Sequence, residues 1–269
     1  MAKNSSKKFW FWFLIIMILL LVGTIIIFSR SSKSNPKIPS QKKASQSLQK
    51  IIIEPTKKHT ASVIFLHGLG NNAQNQKNIC QPLSKKYPHI KFIIPQAPTI
   101  SVSMNWGWPM PAWYNIKGNF RNIMNLKEDK EGLLKSVSQI KKIIQQEVNM
   151  GILAKKIIVI GHSQGAAVAL AVGLTSDYRL AGIIALSGFL PCRQKIFDWA
   201  KSENKTIPFF LYHNIYDNII PTDIGDQSAK LLKQKGYQVE FENEFSGNHF
   251  FQPEELQEIL TKKLGELLG

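Results

Sequence analysis

IIVIGHSQGAAVAL, residues 157–170, changes character halfway along. Four β-branched residues, Ile157 to Ile160, read as a fully buried strand, and the small, Ala-rich run from Ala166 suits a closely packed helix. Between them stand Gly161, His162, Ser163, Gln164 and Gly165. The strand has to become a helix almost without a loop, and glycine relieves the crowding of so tight a turn. A sharp strand-to-helix turn also pushes the hydroxyl of its central serine out of the sheet, as in a nucleophile elbow. Taken alone, G-x-S-x-G is a short pattern that chance supplies often. The rest of the chain has to supply a base, an acid and an oxyanion site.

Working outward, apolar runs alternate with helical patterns. Residues 61–66, 90–94, 157–160, 181–186 and 207–212 are short and β-rich, as buried parallel strands are, while 237–245 alternates like an exposed edge strand. Residues 127–150 place Leu133, Leu134, Val137, Ile140, Ile144 and Val148 on one helical stripe, and 223–234 and 253–268 also read as helices. The alternation predicts an α/β fold with a mostly parallel, doubly wound sheet, whose sites gather at the carboxyl ends of strands. Four polar features stand just there: His67-Gly68-Leu69-Gly70, Ser163, Asp217 and His249. The order Ser163, Asp217, His249 is that of an α/β-hydrolase triad. Serine is a weak nucleophile until an imidazole takes its proton, which His249 would do. Asp217 would fix the imidazole tautomer and stabilise the imidazolium. The backbone N–H groups of Gln164 and Leu69 are the candidate oxyanion donors. Asp217 could equally cap its turn, and His249 could be an ordinary turn histidine.

The chain has 269 residues and a formal net charge of +16, which resembles a nucleic-acid signal until it is located. Residues 1–58 carry eleven Lys and Arg against one acidic residue, so the excess lies mostly in the N-terminal tail and fits anionic lipid head groups. No basic–aromatic platform suggests a nucleic-acid partner. Cys80 and Cys192 show no paired spacing for a metal or redox motif, and two buried free thiols are expected. After a short basic tail (1–8), Phe9–Phe28 runs twenty residues without a charge, long enough as a helix to cross roughly 30 Å of hydrocarbon. A cleaved signal peptide is the rival, but its apolar region is shorter and Phe28-Ser29-Arg30 is a poor cleavage site. An uncleaved single-pass membrane anchor is expected, followed by a flexible linker over 29–50 and a catalytic domain over 51–269. A short basic tail before a first helix usually stays inside, which would put the domain on the extracytoplasmic side, although basic residues flank the run on both sides.

The set HGLG (67–70), PQAP (95–98), MPAWYNI (110–116), GHSQG (161–165), LSGFLP (186–191), the Asp217 loop ending in Pro221, and GNH (247–249) resembles the phospholipase/carboxylesterase family, which includes acyl-protein thioesterases and small bacterial carboxylesterases. The resemblance covers about residues 51–269. It implies an α/β-hydrolase fold that needs no cofactor or metal and hydrolyses esters or thioesters through Ser163, Asp217 and His249, with Leu69 and Gln164 as oxyanion donors. Two departures touch loop shape and substrate preference. Asn71 stands where the family commonly has Asp after HGLG. Asn214-Ile215-Tyr216-Asp217-Asn218 replaces the usual G-x-x-D-P. The loop 102–116 holds Trp106, Trp108 and Trp113 without helical or strand period; these would either cover the core edge or form the apolar wall for an acyl chain. The substrates expected are a small acyl ester, a lysophospholipid or an acylated protein. The rival to an enzyme is a non-catalytic hydrolase-fold protein that binds an acyl group or a partner at the membrane.

Overall fold

The computed structural model describes residues 47–118 and 126–269. The expected anchor, the basic tail and the linker as far as residue 46 lie outside the described residues. Among the described residues no helix is long and apolar enough to cross a membrane. Ser47–Gly269 forms a compact unit of its own.

All six runs read as strands pair into one seven-stranded sheet. In chain order the elements are β1 (Lys50–Ile53), β2 (Ala61–Leu66), α1 (Ala73–Lys86), β3 (Ile90–Pro95), a β4–β5 hairpin (Thr99–Ser101, Pro109–Pro111), a β6–β7 pair (Ile116–Lys117, Lys127–Glu128), α2 (Lys130–Asn149), β8 (Ile157–His162), α3 (Gln164–Thr175), β9 (Gly182–Leu186), α4 (Ile196–Trp199), β10 (Pro208–Asn214), α5 (Thr222–Gln234), β11 (Gln238–Phe245) and α6 (Pro253–Leu268). The sheet order is β1-β3-β2-β8-β9-β10-β11, and only β1 runs antiparallel to its neighbour. Two sequence boundaries shift. β1 begins at Lys50, inside the expected linker, because Ile51–Ile53 finds β3 as a partner. The helix expected from residue 127 begins at Lys130, where the Asp129 carboxylate accepts from the Gly132 N–H as an N-cap, and Lys127–Glu128 pairs with Ile116–Lys117 instead.

The strand period of two divides the core between the two faces of the sheet. Ile64, Leu66, Val159, Ile183, Phe209 and Leu211 point into the layer holding α2, α3 and α5. Val63, Phe65, Ile158, Ile160, Ile184 and Phe210 point into the layer holding α1 and α6. Helix α3 is buried all round, which explains its small residues: a methyl on Gly173 would strike Ile183 and Phe209. The edge strand β11 turns Glu240, Glu242 and Glu244 to one side, charges that discourage pairing with another chain. This winding brings the carboxyl ends of β2, β8, β10 and β11 to one edge, and the polar features follow those ends.

Candidate active site

The turn after β8 is as tight as the sequence requires. Ser163 sits at φ 55° and ψ −119°, a conformation that L-residues avoid, between the end of β8 and the first residue of α3. Both flanking glycines are needed for close approach: a methyl on Gly161 would overlap the Gly165 carbonyl, and one on Gly165 would overlap the carbonyls of Leu66 and His67. Ser163 Oγ lies 2.9 Å from His249 Nε2, and His249 Nδ1 lies 2.8 Å from Asp217 Oδ2. Since Asp217 can only accept, the imidazole carries its proton on Nδ1, and Nε2 is left to accept from the serine hydroxyl. All three side chains are buried.

Asp217 fills the turn role and the acid position together. Its Oδ1 accepts from the N–H groups of Ile219 and Ile220, both at 2.9 Å, while Oδ2 faces His249 and lies 3.2 Å from His213 Nε2. Burial alone would raise its pKa, but hydrogen bonds from His213, His249 and the Ile220 N–H hold the carboxyl well below the usual carboxylate range. His162 lies under the base. Its Nε2–H donates to the His249 carbonyl at 2.9 Å, and its ring stacks on Phe250 at 5.1 Å. Burial first, and then the neighbouring His249, lower its pKa to about 4, so it is neutral at pH 7. Burial pushes the Cys192 thiol up to about 12 and the Cys80 thiol higher, so neither supplies a thiolate. Both cysteines are free, although Cys192 is only half-buried rather than buried as expected.

The serine opens into a cleft of about 490 Å³ whose lining includes Leu69, Asn71, Met104, His162, Ile219, His249 and Phe250. Leu69 lines the cleft beside the serine, and the N–H groups of its neighbours Gly70 and Asn71 are taken by Pro111 O and Gly68 O. Gln164 opens α3, where the first N–H groups lack helical acceptors.

The three tryptophans do not form the wall assigned to them. None lines the cleft. Trp113 is 2% exposed; its indole N–H donates to the His67 carbonyl at 2.7 Å and its ring lies against the His67 imidazole. Its aromatic bulk packs against the start of the turn that carries Leu69. Trp106 and Trp108 face solvent. Sequence reasoning also missed the side chain of Gln164, which accepts from the Trp113 N–H and donates to the Tyr114 carbonyl, and Gln96, which contacts His67 Nε2 at 3.2 Å. The only signal for either lay in the family motifs that contain them. Of the two departures from the family pattern, Asn71 lines the cleft and accepts from Asn75 Nδ2, while the Ile215 N–H extends the pairing of β10 to the Phe245 carbonyl.

Residues 48–262 match the phospholipase/carboxylesterase family model. The chain belongs to that family. Acyl-protein thioesterase 1 of Schizosaccharomyces pombe is 42% identical over 185 residues, 69% of this chain and 81% of the relative. The protein of the same name from Cryptococcus neoformans is 37% identical over 194 residues, 72% of this chain and 82% of the relative. Among solved structures, Zea mays acyl-protein thioesterase 2 superposes with a TM-score of 0.73 at 29% identity, covering 82% of this chain and all of the maize chain. As a phospholipase/carboxylesterase family member with an α/β-hydrolase fold, the protein is an ester-bond hydrolase.

Proposed function

We propose that the protein is a membrane-anchored serine hydrolase that cleaves carboxylic esters or thioesters through an acyl-enzyme on Ser163. The observation that carries this reading is the continuous chain from Ser163 Oγ through the His249 imidazole to a buried Asp217 carboxylate. As Ser163 Oγ attacks the acyl carbonyl carbon, His249 Nε2 takes its proton. Negative charge develops on the carbonyl oxygen, where the N–H groups of Leu69 and Gln164 stabilise it. The imidazolium, held in place by Asp217, then protonates the leaving alcohol or thiol. Water enters, His249 removes its proton, and a second passage through the oxyanion releases the acid and restores the serine.

Acylated proteins are the favoured substrates, on the strength of the relatives' names, with lysophospholipids as the second reading because the same machinery serves both bonds. The anchor belongs to the proposal through its sequence: Phe9–Phe28 without a charge, flanked by basic residues. We place the catalytic domain on the extracytoplasmic side, following the basic tail that precedes that run.

A fluorophosphonate probe, with hydrolysis of matched oxyesters and thioesters of increasing acyl length, tests the assignment. Wild type is expected to label and Ser163→Ala not to label. Asp217→Asn is expected to lose on the order of 10⁴-fold in kcat, since the wrong imidazole tautomer faces the serine. A folded wild type that neither labels nor turns over would leave an acyl-binding protein as the reading.

A further inference from the structure

Helix α1 buries one stripe, Ala73, Gln76, Cys80 and Leu83, at the spacing of a single helical face. Three of these side chains suit a core and Gln76 does not. It is 3% exposed, yet its amide has no hydrogen-bond partner among the described residues. A buried amide left unbonded costs stability, and folded proteins keep few of them. The residue lines a chamber of about 270 Å³ whose apolar walls are Phe65, Ile79, Leu186, Phe251 and Leu256. An apolar enclosure with one free polar group has the make-up of a binding pocket, with surface for burial and an amide for orientation. Its volume is below the roughly 300–1,000 Å³ that encloses a whole small ligand, so it fits one group of a larger substrate.

The chamber adjoins the catalytic cleft, for Asn71, Asn75, His162 and Phe250 line both. His162 and Phe250 stack on each other, and their ring centres lie 5.0 and 5.5 Å from that of His249. The chamber is therefore on the imidazole's side of the site. Met104 and Ile219 line the cleft and not the chamber. Chemistry assigns the two sides. As the acyl C–S or C–O bond breaks, His249 passes its Nε2 proton to the departing sulfur or oxygen. The leaving group thus lies against His249, and the acyl chain extends away from it. Gln76 offers both a donor and an acceptor, the pair that a peptide unit also presents.

We propose that the chamber is a leaving-group subsite: it takes a large apolar side chain beside the acylated residue of a peptide, and the Gln76 amide bonds to that peptide's backbone. The acyl chain is left to Met104 and Ile219. The subsite rests on the hydrolase reading above and adds to it a selection on the peptide.

Octanoyl thioesters of the tripeptide amides Gly-Cys-Gly and Leu-Cys-Leu, offered to the full chain, test it. Rates are referred to the amount of serine that a fluorophosphonate probe labels. Wild type is expected to favour the leucine peptide on the order of tenfold in kcat/KM, as apolar pockets discriminate. Gln76→Trp and Ile79→Trp fill the chamber from two positions, and each is expected to bring that ratio close to one. Gln76→Leu keeps the space without the amide and is expected to raise KM for both peptides about fivefold, the loss of one hydrogen bond. A labelled wild type without the preference, or a preference that survives filling, overturns the subsite, and an unchanged KM in Gln76→Leu overturns the assigned bond. Filling that lowers octanoyl relative to acetyl thioester hydrolysis, with the leucine preference kept, also overturns it and gives the chamber to the acyl chain. A wild type that neither labels nor turns over overturns the hydrolase reading as well.

Discussion

At the residue scale, two supports of the site make measurable differences. The Trp113 indole N–H is the donor to the buried carbonyl of His67, at the start of the turn that carries Leu69. Trp113→Phe keeps an aromatic ring but leaves that carbonyl unpaired, which costs about 1–3 kcal/mol. Thermal melts should show the loss, and turnover should fall with little change in KM if the turn shifts its oxyanion donor. His162 makes stability depend on pH. Its imidazole titrates near 6.5 when unfolded and near 4 when folded, facing His249, His213 and Asp217. Between those values the unfolded chain binds the extra proton, so stability rises with pH across that window and is lowest below it. Protonation of this one group is worth roughly 3 kcal/mol over the window. Melting curves of wild type and His162→Phe from pH 4 to 7 check it, and the variant should show the shallower dependence.

At the element scale, the end of the sheet remote from the triad contains an ion pair that no periodicity announces. Lys91 of β3 and Glu147 of α2 are both buried, with Nζ and Oε1 2.9 Å apart, while Glu147 Oε2 accepts from Ser62 Oγ of β2 at 2.7 Å. The pair ties the helix to two central strands. Breaking one side leaves a buried charge, so Lys91→Met should cost about 3–5 kcal/mol. The double replacement Lys91→Met/Glu147→Leu removes both charges and should recover most of that loss. A double-mutant cycle in urea measures the coupling. The strands, by contrast, follow their local signals. Runs of β-branched residues became buried parallel strands, and the glycines at 161 and 165 mark two places where backbones approach too closely for a methyl.

At the scale of the whole molecule, charge and chemistry are separated along the chain. The first 58 residues hold ten of the sixteen net positive charges, whereas the loops round the cleft expose none. On the proposed reading, a tail that attracts anionic lipid and a domain that hydrolyses esters are separable functions. Removing residues 1–46 should move the protein from the membrane pellet toward the supernatant and leave its turnover of a water-soluble ester unchanged. Fractionation and a p-nitrophenyl acetate assay measure the two effects.

By itself the sequence determined the alternation of strands and helices, the elbow at Ser163 and the identity and order of the three polar residues that converge. These are local matters: side-chain period, glycine where a turn closes, and a polar residue just past each strand. Tertiary structure decided what surrounds them. Ile51–Ile53 became a strand only because β3 offered an edge. Trp113 went against the turn that begins at His67 while Trp106 and Trp108 went out to solvent, although all three lie in one aperiodic loop. Gln164, His162 and His213 acquired partners 50, 87 and 7 residues away. A residue's burial and bonding depend on neighbours that the fold delivers from elsewhere, and a loop without a period carries no record of which way its side chains will face.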